Sequence, residues 1–177
     1  NFLKLNKTDY LYVSAPENVA WLLNIRGYDN PTSPIPNARL IIGKNKKLLL
    51  ITKKNNVQKI INEKKIKKDQ VIDFYKFKEL INQLKGSNFI IDNQSCSIFS
   101  EKIIKTKFKI LVKEDPIYKL KSIKNSSEIK HTIKVHQKDG LALTRFIYWI
   151  KNRGNKKITE VDAQNKLEKF RKMSKDY

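Results

Sequence analysis

The sequence predicts an α/β protein, in which helices pack on a mostly central sheet, followed by two further helices. Up to Val112, short runs of β-branched and aromatic residues alternate with short segments whose apolar residues have helical spacing. From Asn125 onward, apolar residues instead recur every three or four positions over a long segment. With 177 residues, 40% of them hydrophobic, the chain can form one medium domain, or a small domain plus part of another.

Short apolar segments, separated by glycine, asparagine or lysine, are the predicted strands. They cover residues 10–13, 38–42, 48–51, 71–74, 88–92 and 107–112. The second and third are joined by Gly43-Lys-Asn-Lys-Lys47, which predicts a β-hairpin. Short helices are predicted between the later strands, at residues 57–61, 77–84 and 95–104. The first residues, N-F-L-K-L-N-K, have the pattern of a helix end, so we expect an earlier segment to precede them.

The stretch from Ser14 to Asn37 contains four of the five prolines and is predicted to be a short helix followed by a rigid loop. Pro16 suits the first helical position, and Gly27 is predicted to end the helix. The predicted apolar face of this helix consists of Val19, Trp21, Leu22 and Leu23. Such a constrained loop either presents a binding surface or serves as a structural crossover.

Four polar residues of this stretch are the candidates for a contact surface: Asn24, Arg26, Asp29 and Asn37. They are clustered on a frame that the prolines stiffen. An internal ion pair between Arg26 and Asp29 is an equally good interpretation of the same pattern.

The last third of the chain predicts two capped helices. Asn125 and Glu128 form a near capping box, and Thr159 with Asp162 predicts a second helix start. Gly154 is predicted to end the first helix. One apolar stripe runs along that helix: Ile129, Ile133, His136, Gly140, Leu143, Ile147 and Ile150. Two helices cannot bury such faces alone, so we expect a third partner.

The net charge of +21 raises the hypothesis of a basic module that binds nucleic acid or acidic surfaces. Of the 38 basic residues, however, only five are arginines, the preferred residue for bidentate phosphate and base contacts. Lysine, asparagine and isoleucine all have AT-rich codons, so base composition explains the charge more simply. The single cysteine, Cys96, is consistent with a reducing cytoplasm, and no apolar run is long enough to span a membrane.

The sequence shows no catalytic constellation. His131 and His136 are five residues apart, which does not fit an H-E-x-x-H zinc motif, and no glycine-rich phosphate loop occurs. Asp73 and Asp92 follow predicted strands, where they could serve as metal or catalytic carboxylates or cap the next helix. Cys96 is predicted to be buried and inert.

Three segments, in order, resemble the three-domain Xaa-Pro aminopeptidases (aminopeptidase P). P-E-N-V-A-W-L-L-N-I-R-G-Y-D-N-P is similar to the middle domain of that family, with Tyr28 where serine is usual. D-P-I-Y-K-L-K-S-I-K-N-S-S-E-I-K-H resembles the entry into its catalytic domain. I-T-E-V-D-A-Q-N-K-L-E-K-F-R is similar to its T-E-I-S-A-A-x-x-L-E-x-F-R segment.

The resemblance implies a creatinase/prolidase N-terminal-like domain at residues 1–119, with a mixed, ribonuclease H-like central sheet. Residues 120–177 would then begin the "pita-bread" catalytic domain. The metal ligands of the family would lie outside this chain, which would hold no cofactor and be inactive, whereas the full-length enzyme would bind two Mn²⁺ ions.

By the same resemblance, the full-length enzyme would be a cytoplasmic homodimer that removes the N-terminal residue from peptides with proline in second position. The present chain alone would be a monomer. Asn24, Arg26, Asp29 and Asn37 would face the substrate cleft, while Trp21 and His136 would lie at a domain interface with the rest of the catalytic domain.

Overall fold

A computed structural model describes residues 2–53, 57–154 and 157–174. The chain divides into two units, one up to Ser122 and another from Ile123 onward. The division falls three residues after the predicted boundary at residue 119, because a helix that continues to Ser122 belongs to the first unit.

The first unit contains a six-stranded mixed sheet, which confirms the predicted fold class. The strands are β1 (Tyr10–Val13), β2 (Arg39–Gly43), β3 (Leu48–Ile51), β4 (Val71–Ile72), β5 (Asn88–Ile91) and β6 (Lys109–Val112). Their order in the sheet is β4-β3-β2-β1-β5-β6. The hairpin partners β2 and β3 are antiparallel, as predicted, and β1 pairs antiparallel with β2 but parallel with β5.

Helices of the first unit lie on both faces of this sheet. They are α1 (Phe2–Leu5), α2 (Pro16–Leu23), α3 (Gln58–Asn62), α4 (Phe77–Gln83), α5 (Ile98–Lys105) and α6 (Pro116–Ser122). Because side chains alternate along a strand, β5 sends Ile90 into one core and Phe89 into the other. The first core includes Val19 of α2 and Ile117 of α6, and the second includes Ile104 of α5.

Three local predictions for this unit were wrong, and one helix was missed. Helix α2 ends at Leu23 rather than at Gly27, because Asn24 takes the left-handed conformation (φ 47°, ψ 53°) that terminates it. The buried face of α2 consists of Asn18, Val19 and Ala20, whereas Trp21 and Leu22 are exposed. Helix α6 was not predicted. Strand β4 is two residues long because Asp73 already caps a 3-10 turn by accepting from the Tyr75 N–H.

Asp9 links the start of β1 to the turn before β5. Its Oδ2 accepts hydrogen bonds from the backbone N–H groups of Ser87 (2.8 Å) and Asn88 (3.1 Å), and its Oδ1 pairs with Lys44. Gly86 lies beside it at φ +145°, where an added Cβ would come within 2.9 Å of the Asp9 carboxylate. The Lys44 hydrogen bond, together with the Ser87 N–H, lowers the pKa of Asp9 below its usual range.

We expect Asp9→Asn to lower the free energy of unfolding at pH 7 by about 1–2 kcal/mol, since hydrogen bonds to a charged acceptor are replaced by weaker ones. A carboxyl whose folded pKa is depressed stabilises the fold above its unfolded pKa and loses this contribution as pH falls through the folded pKa. The difference between wild type and variant should therefore shrink below about pH 4. Denaturant titrations from pH 7 to pH 2 measure it, and a constant difference would contradict the assignment.

The second unit consists of α7 (Ser126–Lys151) and α8 (Glu160–Arg171), each begun by the predicted capping box. Helix α7 ends at Lys151, before Gly154. The two helices are joined by a bidentate pair in which Arg171 donates to Asp139, and Ala142 of α7 is buried. Lys166 of α8 lies over the ring of Trp149, 5.4 Å from its centroid.

The predicted apolar stripe of α7 is exposed in the described structure. Ile129, Ile133, Leu143 and Ile147 are 48%, 55%, 43% and 46% accessible, and His136 is also exposed. At 3.6 residues per turn these residues lie on a different face from Asp139, which pairs with Arg171 of α8. Among the described residues of the second unit, the stripe is therefore largely uncovered.

Candidate functional site

The loop between α2 and β2 is held by hydrogen bonds at both ends. At its start, the Ile25 N–H donates to the Ala20 carbonyl (3.0 Å), and Lys65 Nζ donates to the Asn24 carbonyl (2.8 Å). At its end, the Thr52 hydroxyl donates to the Asn37 carbonyl (3.1 Å). The loop is therefore fixed against both α2 and β3.

Two contacts across the middle of the loop bring its ends together. The Gly27 N–H donates to the Pro34 carbonyl (3.0 Å), and Asp29 Oδ2 accepts from the Asn37 N–H (2.8 Å). Gly27 packs so closely on Pro36 that an added Cβ would lie 2.5 Å from the Pro36 Cα. The glycine is thus required for close backbone approach rather than for helix termination.

A cavity of about 340 Å³ opens beneath this loop. Its floor is formed by buried apolar side chains, among them Ile25, Ala38 and Leu50. Arg26, Tyr28 and Asp29 lie at its rim on the loop side, and Lys59 of α3 lies there as well. Tyr28 is 99% exposed. The arrangement combines an apolar floor with charged and aromatic groups at the mouth, which is typical of a small binding pocket.

The structure brings together only part of the predicted contact set. Arg26 and Asp29 line the cavity, whereas Asn24 and Asn37 anchor the two ends of the loop through their backbone groups. Arg26 Nη1 donates to the backbone carbonyl of the preceding residue, Ile25 (2.9 Å), and Asp29 accepts a hydrogen bond from the Asn37 N–H. Among the described residues, Arg26 and Asp29 do not form an ion pair.

A buried polar network at the carboxyl ends of β1, β5 and β6 was missed by the sequence analysis. Asn18 Nδ2 donates to Asp115 Oδ2 (2.7 Å), and Lys121 Nζ donates to Asn18 Oδ1 (2.5 Å). The Asp115 N–H donates to Asp92 Oδ2 (2.9 Å). Asn18, Asp92 and Asp115 are at most 2% exposed. The network ties α2, α6 and the end of β5 together behind the loop.

Helix α6 begins at this network, and its start has a sequence signal. Asp115 Oδ1 accepts from the Ile117 N–H (2.9 Å), and Pro116 occupies the first turn, which is the usual arrangement of an N-cap followed by proline. Burial raises the pKa of the Asp115 carboxyl. Nearby, burial and a hydrogen bond to Glu17 raise the pKa of Tyr118 to about 12.

In the described part of the chain, no group of three His, Cys, Asp or Glu side chains is placed to hold a metal ion. Cys96 is half-buried rather than fully buried, and burial raises its pKa to about 11, which keeps the thiol protonated and unreactive near neutral pH. Among the described helices, none has the length and apolar content needed to cross a membrane.

Solved structures share this fold. An X-prolyl aminopeptidase from Caenorhabditis elegans, described as a cytosolic enzyme with a di-nuclear active site, superposes with a TM-score of 0.79 at 20% identity. The match covers 99% of this chain and 30% of that one. A prolidase from Pyrococcus furiosus matches with a TM-score of 0.65 at 22% identity, over 97% of this chain and 47% of the other. The chain therefore shares its fold with part of each of these two peptidases.

The family described as Creatinase/Prolidase N-terminal domain matches residues 1–128, and the chain belongs to it. An uncharacterised peptidase of Schizosaccharomyces pombe is 31% identical over 96% of this chain and 28% of its own length. Xaa-Pro aminopeptidase ApepP of Drosophila melanogaster is 27% identical over 99% of this chain and 29% of its own length. The chain thus spans less than a third of the length of these curated relatives.

Proposed function

We propose that this chain is a non-catalytic segment of a cytoplasmic, metal-dependent Xaa-Pro aminopeptidase, a peptide hydrolase that removes the first residue when proline is second. The observation that carries the proposal is the anchored loop of Asn24–Asn37 with its cavity, on a creatinase-type fold whose relatives bear that name. In this proposal, Asn24, Arg26, Asp29 and Asn37 shape the wall of the substrate cleft.

The metal centre of the proposed enzyme would lie outside residues 1–177. The described residues do not fit a metal site, and the resemblance implies two Mn²⁺ ions held by a later part of the protein. Such ions activate a water for attack on the scissile carbonyl. The coding sequence after Tyr177 tests this directly, since it should contain two Asp, one His and two Glu at the family spacing.

The exposed stripe of α7 supports a role for the second unit as the beginning of the catalytic domain. We propose that the rest of that domain covers the stripe, together with His136, and that Trp21 of α2, which is 38% exposed, also lies at a domain interface. The relatives are more than three times as long as this chain, so they contain enough sequence to provide such cover. The full-length protein would be a homodimer and the present chain a monomer.

We expect the full-length protein to release arginine from an Arg-Pro-Pro peptide and the 177-residue chain to show no turnover. Removal of metal with a chelator should abolish the activity of the full-length protein, and added Mn²⁺ should restore it, because the ions would activate the water that attacks the scissile carbonyl. Amino-acid release measured by chromatography checks both expectations. Hydrolysis by the purified 177-residue chain, or a full-length protein that cleaves only peptides without proline, would overturn the proposal.

A second candidate function, a basic module for nucleic acid or acidic surfaces, is favoured by the net charge of +21. The two candidates differ in what they require at physiological salt. Only the basic module must bind nucleic acid or an acidic surface tightly at physiological salt. Its affinity should fall steeply with increasing salt, because binding neutralises phosphates and releases their counterions. The first is compatible with no more than weak, sequence-independent binding at low salt.

A further inference from the structure

The cavity beneath the loop has an unbalanced charge at its mouth. Among the described residues, three charged side chains line it: Arg26, Lys59 and Asp29. The carboxylate of Asp29 already accepts from the Asn37 N–H, so part of its hydrogen-bonding capacity is used within the loop. Among the described residues, neither Arg26 nor Lys59 forms an ion pair, and both side chains are exposed. The mouth therefore favours an anionic group.

The guanidinium of Arg26 is held in place while most of its donors stay available. Nη1 donates to the Ile25 carbonyl at 2.9 Å, which uses one of the five N–H groups of the side chain. A guanidinium matches the planar geometry of a carboxylate with two parallel N–H···O contacts. Lys59 of α3 also lines the cavity and adds a second positive charge.

Below the mouth, the cavity is mostly apolar, with Thr52 as a buried polar residue in its lining. Ile25, Ala38, Leu50 and Val57 are all at most 6% exposed, and Ile60 completes the lining on the α3 side. At about 340 Å³, the cavity is at the lower end of the range for ligand pockets and has room for more than one aliphatic side chain. A ligand that fits must therefore carry an apolar group next to a carboxylate.

We propose that this cavity binds a peptide segment in which an apolar side chain is followed by a carboxylate, with the side chain on the floor and the carboxylate at Arg26 and Lys59. The proposal rests on the proposed function, and it assigns the cavity to the part of the substrate on the C-terminal side of proline. Such a site would make the enzyme prefer substrates with an apolar residue and then an acidic group after proline.

Direct binding to the 177-residue chain tests the site without catalysis. Fluorescently labelled Ala-Pro-Leu-Glu-amide should bind at least threefold more tightly than Ala-Pro-Leu-Gln-amide in anisotropy titrations, and replacing leucine by glycine should weaken binding by a similar factor. Arg26→Gln and Lys59→Gln should each weaken binding of the glutamate peptide by roughly three- to tenfold, as expected for loss of one charge-assisted contact.

The high net charge of the chain requires a matched control. Lys78→Gln removes one positive charge from α4, on the opposite face of the sheet, and should leave the affinity unchanged within twofold. Equal losses for Lys59→Gln and Lys78→Gln would reduce the effect to general electrostatic attraction and overturn the proposal. Equal affinities for the Glu and Gln peptides, or no binding of either, would also overturn it.

A further pair of peptides identifies the source of the carboxylate. If a chain terminus is the ligand, Ala-Pro-Leu with a free C-terminus should bind more tightly than its amide. If an acidic side chain is the ligand, only the Glu and Gln peptides should differ. Peptide hydrolysis by the full-length protein is measured separately, so loss of the binding preference with intact Xaa-Pro cleavage would refute this site alone.

Discussion

Replacement of Gly27 by alanine is expected to lower the free energy of unfolding of the first unit by about 1–3 kcal/mol, the usual cost of overpacking. The new Cβ would lie 2.5 Å from the Pro36 Cα and 2.9 Å from its nitrogen. Both are backbone atoms of a residue whose φ is fixed, so the clash is relieved only by moving the loop. The 3.0 Å bond from the Gly27 N–H to the Pro34 carbonyl should be lost with that movement.

Gly43→Ala is the matched control in the same unit. There the nearest obstacle is the Oδ1 of Asn45 at 2.7 Å, an atom at the end of a side chain that can rotate away at the cost of its exposed hydrogen bond from the Lys47 N–H. Its unfolding free energy should change by less than half as much as that of Gly27→Ala in chemical denaturation. In the full-length protein, Gly27→Ala should also reduce kcat/KM for Xaa-Pro peptides with metal content unchanged. A Gly27→Ala variant as stable as the wild type would show that the loop tolerates displacement at no cost.

Asp115→Ala is expected to be the most destabilising substitution at the buried network. It leaves the Asn18 amide, which is 0% exposed, without its acceptor, at a cost of roughly 1–3 kcal/mol. It also removes the N-cap of α6, which contributes roughly a further 0.5–2 kcal/mol. Because α6 packs on α2, the change should loosen both helices, and hydrogen exchange of the Ile117 and Tyr118 amides should report it.

The control for Asp115 is Asp73→Ala, since Asp73 caps a short 3-10 turn without a buried partner. It should cost only the cap contribution, about 0.5–2 kcal/mol. Asp115→Asn gives a further check. The new side-chain amide would lie beside Asn18, whose Nδ2 needs an acceptor and whose Oδ1 already accepts from Lys121. We therefore do not expect Asp115→Asn to restore the stability lost in Asp115→Ala. Full stability of Asp115→Asn would mean that the network can reorganise.

The elements that were predicted correctly are those whose determinants are local. The starts of α7 and α8 follow from Asn125–Glu128 and Thr159–Asp162, which complete their hydrogen bonds within four residues. The hairpin of β2 and β3 is equally local. Helix α6 was missed because its seven residues, P-I-Y-K-L-K-S, provide too few apolar positions to show a helical period, and only Ile117 is buried.

The candidate site was predicted less well. Its contacts join residues that are far apart in the sequence, or polar groups that could pair with more than one partner. The loop and two of its cavity residues, Arg26 and Asp29, could be predicted from the prolines and the polar cluster. That Asp29 accepts from a backbone N–H instead of pairing with Arg26 depends on the folded loop. The Asn18–Asp115 bond spans 97 residues, and the cavity includes Lys59, which comes from a separate helix.

The position of β1 in the middle of the sheet has a consequence for the order of folding. Its antiparallel partner β2 follows within about forty residues, and β2 and β3 form a hairpin of short range. Its parallel partner β5 pairs Tyr10 with Phe89 and Tyr12 with Ile91. Bringing β1 and β5 together costs a large loop-closure entropy before any contact between them is gained. Strand pairings of this kind are therefore slow to form. During synthesis, the sheet of β1, β2 and β3 can thus form early. The edge of β1 that pairs with β5 stays without its hydrogen-bond partners until residue 91 has left the ribosome.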